Sequence, residues 1–205
     1  MLLGLGTGST VQHFLEVLAP RVRAGLGIRG VPTSLHTEAA ATRLGIPLTT
    51  LDEAPELDLC VDGADEVDPQ LGCLKGLGGA LVREKVVASA AKRFVLIVDG
   101  SKLVPRLGTL APVLVEVIPF AASVVAHALE DLSPRRREKD GVAFLSDNGN
   151  YVLELTTGPL ENPGALAARL DAIPGVLDHG LFLGVAHTAY VATSERVRRF
   201  DRSAL

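Results

Sequence analysis

Cysteine is scarce here. The chain has two, Cys60 and Cys73, without CxxC spacing, so neither a disulfide framework nor a cysteine-bound zinc is suggested. Its five histidines, His13, His36, His127, His179 and His187, are scattered. None forms an HExxH pair, which removes the usual helical zinc signature. No apolar run approaches the roughly 20 residues of a membrane-spanning helix. The N-terminus lacks the basic region and cleavage site of a signal peptide. The formal net charge is only −4, and no helix-turn-helix segment or basic stretch occurs, so neither nucleic acid nor a membrane is expected as a partner. The one dense charge cluster, Arg135–Asp140, mixes signs without aromatics and reads as a solvated loop. The expectation is therefore a reducing, cytoplasmic setting, with no metal expected.

What is present is a substantial interior. Of 205 residues, 47% are hydrophobic, enough for one sizeable core or a domain plus a smaller one. Met1–Leu5 reads as a strand, Gly6–Thr10 as a turn, and Val11, Phe14, Leu15, Leu18 and Val22 recur at helical spacing. Further strands are expected at Ile28–Val31, Ile46–Leu51, Leu57–Val61 and Phe94–Val98. Helices are expected from Thr33–Thr37 to about Leu44 and over Ala80–Ala91. This alternation argues α/β, a Rossmann-like parallel sheet with helices on both faces; Phe94–Val98, apolar throughout, should lie centrally. From Val113 the order becomes strand (113–118), helix (121–132), strands (143–145 and 151–155) about a turn at 146–150, helix (163–172) and strand (175–183). That is a ferredoxin-like α+β order. The expected domains are therefore 1–112 plus 185–205, Rossmann-like, and an inserted 113–184, small and ferredoxin-like. A strand over Ala189–Thr193 should return to the first sheet, and Glu195–Phe200 should be a terminal helix.

The chemistry concentrates in Asp62-Gly-Ala-Asp65-Glu66, Lys75-Gly-Leu-Gly-Gly79 and Glu84. Carboxylates just past a strand's carboxyl end stand where open α/β sheets bind ligands. The Gly6–Thr10 turn is neither a dinucleotide fingerprint nor a Walker loop, because Ser9 replaces the third glycine and no Gly-Lys-Ser/Thr follows. Its hydroxyls and helix-start N–H groups suit one phosphate monoester; they equally suit an ordinary N-cap by Ser9 or Thr10. An aldose–ketose isomerisation needs a base that holds and returns a proton, a cationic or N–H environment for the oxyanion, and an acid/base for ring opening. Glu84 fits the base, Lys75 the enediolate neighbour, and Asp62 and Asp65 the ring oxygen and hydroxyls. The glycine loop fits the N–H donors, and Thr7–Thr10 with Lys102 the phosphate grip. Plainer readings exist for each: Glu84 as a surface helix charge, Lys75 as a solvated loop lysine, Asp62 and Asp65 as turn formers, and Asp65, Glu66 and Asp68 as a weak cation site. Together, the functional reading is favoured.

Gly6-Thr-Gly-Ser-Thr10, Asp62-Gly-Ala-Asp-Glu66, Lys75-Gly-Leu-Gly-Gly-Ala80, Arg83-Glu-Lys85, Glu116-Val-Ile-Pro-Phe120 and Asp147-Asn-Gly-Asn150 resemble, in order and spacing, the motifs of type A ribose-5-phosphate isomerases. Pro174-Gly-Val and Gly180-Leu-Phe add to the likeness. The resemblance implies interconversion of D-ribose 5-phosphate and D-ribulose 5-phosphate in the non-oxidative pentose phosphate pathway, without cofactor, by a homodimer or homotetramer. It implies catalytic roles for Glu84, Lys75 and Asp62. Substrate binding is implied for Thr7, Gly8, Ser9, Thr10, Asp62, Gly63, Ala64, Asp65, Lys75, Gly76, Leu77, Gly78 and Lys102. Members of the family generally carry a further helix, roughly two dozen residues with its connection, before the first strand, where this sequence starts within it. Other readings are a non-catalytic sugar-phosphate sensor, disfavoured by Lys75 and Glu84 together, a CoA transferase or amino-sugar phosphate deaminase on a related fold, and an inactive isomerase.

Overall fold

Short apolar runs separated by amphipathic segments cannot bury themselves alone, and here they assemble side by side. The structure, a computed structural model, describes residues 1–202. Six strands form one sheet in the order Val197–Asp201, Thr188–Ala192, Phe94–Asp99, Leu59–Asp62, Leu2–Leu5, Arg29–Pro32. All neighbours are parallel except the first pair. Phe94–Asp99 lies inside the sheet, as its apolar character required. The fold class expected from sequence holds: α/β with a mainly parallel sheet.

The strand Leu2–Leu5 shows why helices cover both faces. Leu3 and Leu5 point to one side and pack with Val11, Leu15 and Leu18 of the helix Ser9–Arg23 and with Ala40 and Ala41 of the helix Leu35–Arg43. Gly4 faces the opposite side, where a Cβ would fall 2.6 Å from Val87 of the helix Leu81–Ser89. Only glycine allows so close an approach. That helix is tied down at its end, where Leu57 N–H donates to Ala90 O and Lys92 N–H to Leu57 O, both at 2.8 Å.

A second sheet of four strands runs Val176–His179, Val113–Val117, Tyr151–Leu155, Arg135–Arg136, antiparallel throughout. Numbered along this segment the order is 4-1-3-2, with the helices Ala122–Ala128 and Pro163–Asp171 between strands. This is the ferredoxin-like arrangement. Val113, Val115, Val117, Val125, Leu153, Leu155 and Leu170 fill its core. Its 146–150 turn is fixed from beneath by Glu116, whose Oε1 accepts from Ser146 Oγ at 2.7 Å, Asn148 Nδ2 at 3.1 Å and Asn150 Nδ2 at 2.9 Å.

The chain separates into two compact units, residues 1–64, 83–100 and 184–205, and residues 65–82 and 101–183. The second therefore takes in 65–82 and 101–112, which the sequence assigned to the Rossmann-like part. A three-stranded sheet of Leu181–Phe182, Cys73–Leu74 and Glu66–Val67 carries the added segment within it.

Four local expectations need correction. Glu195–Phe200 is no helix: Val197–Asp201 is a strand paired residue by residue with Thr188–Ala192 through a turn closed by Thr193 N–H to Arg196 O. Ile46–Leu51 makes only an isolated bridge, Gly30 to Leu48. The second neighbour of Tyr151–Leu155, opposite Val113–Val117, is Arg135–Arg136, whereas Leu145 contributes a lone bridge to Tyr151. The Arg135–Asp140 run is accordingly part sheet, with Glu138–Lys139 paired to Val142–Ala143.

Candidate active site

In the first unit the candidate residues gather where strands end. Leu59–Asp62 delivers Asp62 at its last position, and the carboxyl is 0% exposed. Its Oδ1 accepts two backbone N–H groups, from Thr7 at 3.0 Å and Gly63 at 2.7 Å. A Cβ on Gly6 would lie 2.1 Å from that oxygen, so the turn's first glycine exists to admit Asp62. The turn former's role suggested for Asp62 is thus real, and the carboxylate is also buried against the Gly6–Thr10 turn.

That turn leads directly into the helix Ser9–Arg23, whose N-cap is Gly8 at φ 112°, with no side-chain cap. Ser9 and Thr10 therefore do not cap the helix. Both are exposed, and the helix start presents N–H groups with no intrahelical acceptor. Glu84 stands in the first turn of Leu81–Ser89 and is 3% exposed, so the surface-charge reading fails. An ionisable group so buried in a helix of modest length marks a functional candidate.

In the second unit, Lys75 follows the strand Cys73–Leu74 and is 3% exposed; it is no solvated loop lysine. Its N–H donates to Gly180 O at 2.9 Å, and its ammonium lies 5.7 Å from the Phe182 ring centroid. Asp65 Oδ2 accepts from Leu77 N–H at 3.0 Å, which shapes the Lys75–Gly79 loop. Burial raises the Asp65 carboxyl above the ordinary range, while the Leu77 N–H and then Lys75, Lys102 and Arg137 pull it back. Lys102 closes a short 3₁₀ turn, Gly100–Lys102, after Phe94–Asp99.

The weak cation site considered for Asp65, Glu66 and Asp68 is not built. Glu66 is fully buried and accepts from the N–H groups of Gly108, Leu110 and Ala111. Asp68 closes its own turn by accepting from Gln70 and Gly72. Among the described residues no three His, Cys, Asp or Glu side chains group as metal ligands.

Four contributors went unnoticed in the sequence. Arg137 donates to Gly76 O at 3.3 Å, pairs with Glu154 at 3.0 Å and covers Phe144 at 5.4 Å, so it braces the glycine loop. Thr33, Ser34 and Thr37, read as a helix start, place their hydroxyls around Thr7. Ser34 does cap the helix Leu35–Arg43, accepting from Thr37 N–H.

The family profile described as ribose 5-phosphate isomerase A (phosphoriboisomerase A) matches residues 29–196. The chain belongs to the ribose-5-phosphate isomerase A family. It is 48% identical to the ribose-5-phosphate isomerase A of Bradyrhizobium diazoefficiens, over 98% of this chain and 89% of that one. With that of a Roseiflexus species it shares 51% identity, over 94% and 84%. Among solved structures, the Plasmodium falciparum ribose 5-phosphate isomerase superimposes with TM-score 0.95 at 35% identity, covering 100% of this chain and 92% of that one. A D-ribose-5-phosphate isomerase solved with phospho-erythronic acid gives TM-score 0.93 at 36% identity, covering 98% and 91%. The family read from the DGADE, KGLGG and REK motifs, its enzyme class and its fold therefore stand for nearly the whole chain.

Proposed function

We propose that this ribose-5-phosphate isomerase A relative interconverts D-ribose 5-phosphate and D-ribulose 5-phosphate through an enediolate, with Glu84 as the base. Glu84 takes the C2 proton of the open aldose and returns it to C1. The hydroxyl proton moves from O2 to O1, so the product is an isomer and no electron leaves the substrate. Lys75 stands by the charge that develops on the enediolate oxygens, and Asp62 assists ring opening. Asp65 and the N–H groups of Gly76 and Gly78 hold hydroxyls, with Leu77 fixing the Asp65 carboxylate through its own N–H and Gly63 and Ala64 shaping the same segment. Gly8, Ser9, Thr10 and Lys102 face the phosphate. The reaction needs no redox cofactor or metal. In this reading the protein works in the cytoplasm, in the non-oxidative pentose phosphate pathway, as a homodimer or homotetramer.

The observation that carries the proposal is the burial of both Glu84 and Lys75 at 3% exposure. Ionisable side chains that close to a mobile-proton chemistry are kept from water because low dielectric strengthens their action on a developing charge. The test is a coupled assay of ribulose 5-phosphate formed from ribose 5-phosphate with EDTA present. Glu84→Gln should lower turnover by about 10²–10⁴ while binding persists, the usual span for a lost acid–base group. Near-normal turnover in the variant removes Glu84 from the mechanism. A silent wild type that still binds the sugar phosphate would favour the sensor reading.

A further inference from the structure

Thr7 carries two hydrogen-bond donors, and both are engaged inside the protein. Its N–H donates to Asp62 Oδ1 at 3.0 Å. Its hydroxyl donates to Ser34 Oγ at 2.8 Å. Ser34 in turn donates to Thr37 Oγ1 at 3.1 Å, and Thr37 donates to the Gly6 carbonyl at 2.7 Å. A carbonyl can only accept, which fixes the direction of the whole chain. Each hydroxyl has one proton, so of the two remaining contacts of Thr7 the one with Thr33 at 2.7 Å must run from Thr33 into Thr7. The longer one, with Thr37 Oγ1 at 3.2 Å, has no proton left to carry it once Thr7 donates to Ser34 and Thr37 to Gly6. Thr33, Ser34 and Thr37 are buried, and water cannot replace these partners cheaply. What Thr7 has left to offer a ligand is at most a lone pair, and a phosphate oxygen, itself an acceptor, is repelled by it.

We infer that Thr7 is a positioning residue, not a phosphate contact, and that the relay Thr33–Thr7–Ser34–Thr37–Gly6 locks the turn that presents Gly8, Ser9 and Thr10 to the phosphate. This rests on the phosphate-binding reading of the turn and deepens it. The relay ties both ends of the Gly6–Thr7 peptide to the second helix, while Ser9 and Thr10 remain exposed with their hydroxyls outside it. The turn's shape is thus held from below, and its ligand donors are the residues after Thr7.

The experiment compares wild type, Thr7→Val, Thr37→Val, their double variant and Thr37→Ser. KM and kcat are read for ribose 5-phosphate, and inorganic phosphate is the competitive inhibitor. Each valine removes one hydroxyl and keeps the shape. Losing one link should raise KM and the phosphate inhibition constant about tenfold, the equivalent of one buried hydrogen bond, with kcat within about threefold. The double variant should be no worse than the weaker single, and Thr37→Ser, which keeps the hydroxyl, should restore KM. If Thr7→Val acts while Thr37→Val does not, or if the two effects multiply, the relay is overturned and Thr7 touches the phosphate. Should Thr37→Val fail to fold, Thr33→Val replaces it with the same two outcomes. A wild type that neither isomerises the substrate nor binds phosphate overturns the phosphate reading itself. Turnover with independent effects overturns the relay alone.

Discussion

Replacing Glu66 by glutamine should destabilise the protein without touching its catalytic groups. The carboxylate is fully buried, with Oε2 accepting from Gly108 N–H at 2.6 Å and Oε1 accepting from Leu110 and, at 2.7 Å, Ala111. A glutamine has one oxygen. Its better orientation keeps Leu110 and Ala111 and turns the NH₂ toward Gly108, so one donor faces another. A hydrogen bond to a charged acceptor contributes about 1.5–3 kcal/mol, against about 0.5–1.5 for a neutral one. Losing one bond and weakening two comes to about 4 kcal/mol, partly offset because a neutral amide is less costly to bury than a carboxylate. A net loss of about 2–4 kcal/mol should lower the thermal midpoint by roughly 5–15 °C for a chain of this length. Circular dichroism melts at pH 7 give the midpoint, and trypsin cleavage after Arg106 should quicken as the loop loosens. A midpoint within about 1 °C of wild type would refute the assignment of Glu66 as the anchor of 108–111.

Gly6→Ala drives a methyl to 2.1 Å from Asp62 Oδ1, so the carboxylate must leave its place beside Thr7; a drop of about 10² in kcat is expected from a shift of that size, and a near-normal kcat would mean that Asp62 can move at no cost. Asp65→Asn should raise stability at neutral pH. Burial lifts the Asp65 carboxyl above its unfolded value, so the charged form costs stability above the folded pKa and the cost fades as pH falls through it. Melts of both proteins across that range should converge at acid pH; a constant gap would show that charge is not the cause. Lys102→Ala should raise KM for ribose 5-phosphate with little effect on kcat, and an unchanged KM would take Lys102 out of phosphate binding.

The parts legible in the sequence were those whose partners are near or whose pattern is periodic. Phe94–Asp99 announced itself by continuous apolarity, and Ser9–Arg23 by Val11, Leu15 and Leu18 at helical spacing. Asp62, Lys75 and Glu84 stood out because motifs keep them close along the chain. What escaped depends on distant partners. Thr7 meets Thr37 across 30 residues, and Arg137 meets Gly76 across 61. Val197 and Phe200 are spaced as on a helix, yet Thr188–Ala192 offers an edge to pair with, and the ladder wins over local spacing. In the run of three arginines, nothing local distinguishes Arg137, which braces a loop, from Arg135 and Arg136, which are exposed.

The bare Cα at Gly4 acts at a distance from itself. Val87 rests against it, and Glu84 lies three residues earlier on the same face of that helix. The thickness of one strand residue thus sets the height at which the carboxylate rides above the sheet. A methyl there would prop the helix outward, and the Glu84 carboxylate, the base of the proposed mechanism, would rise with it, although residue 4 carries no functional group of its own.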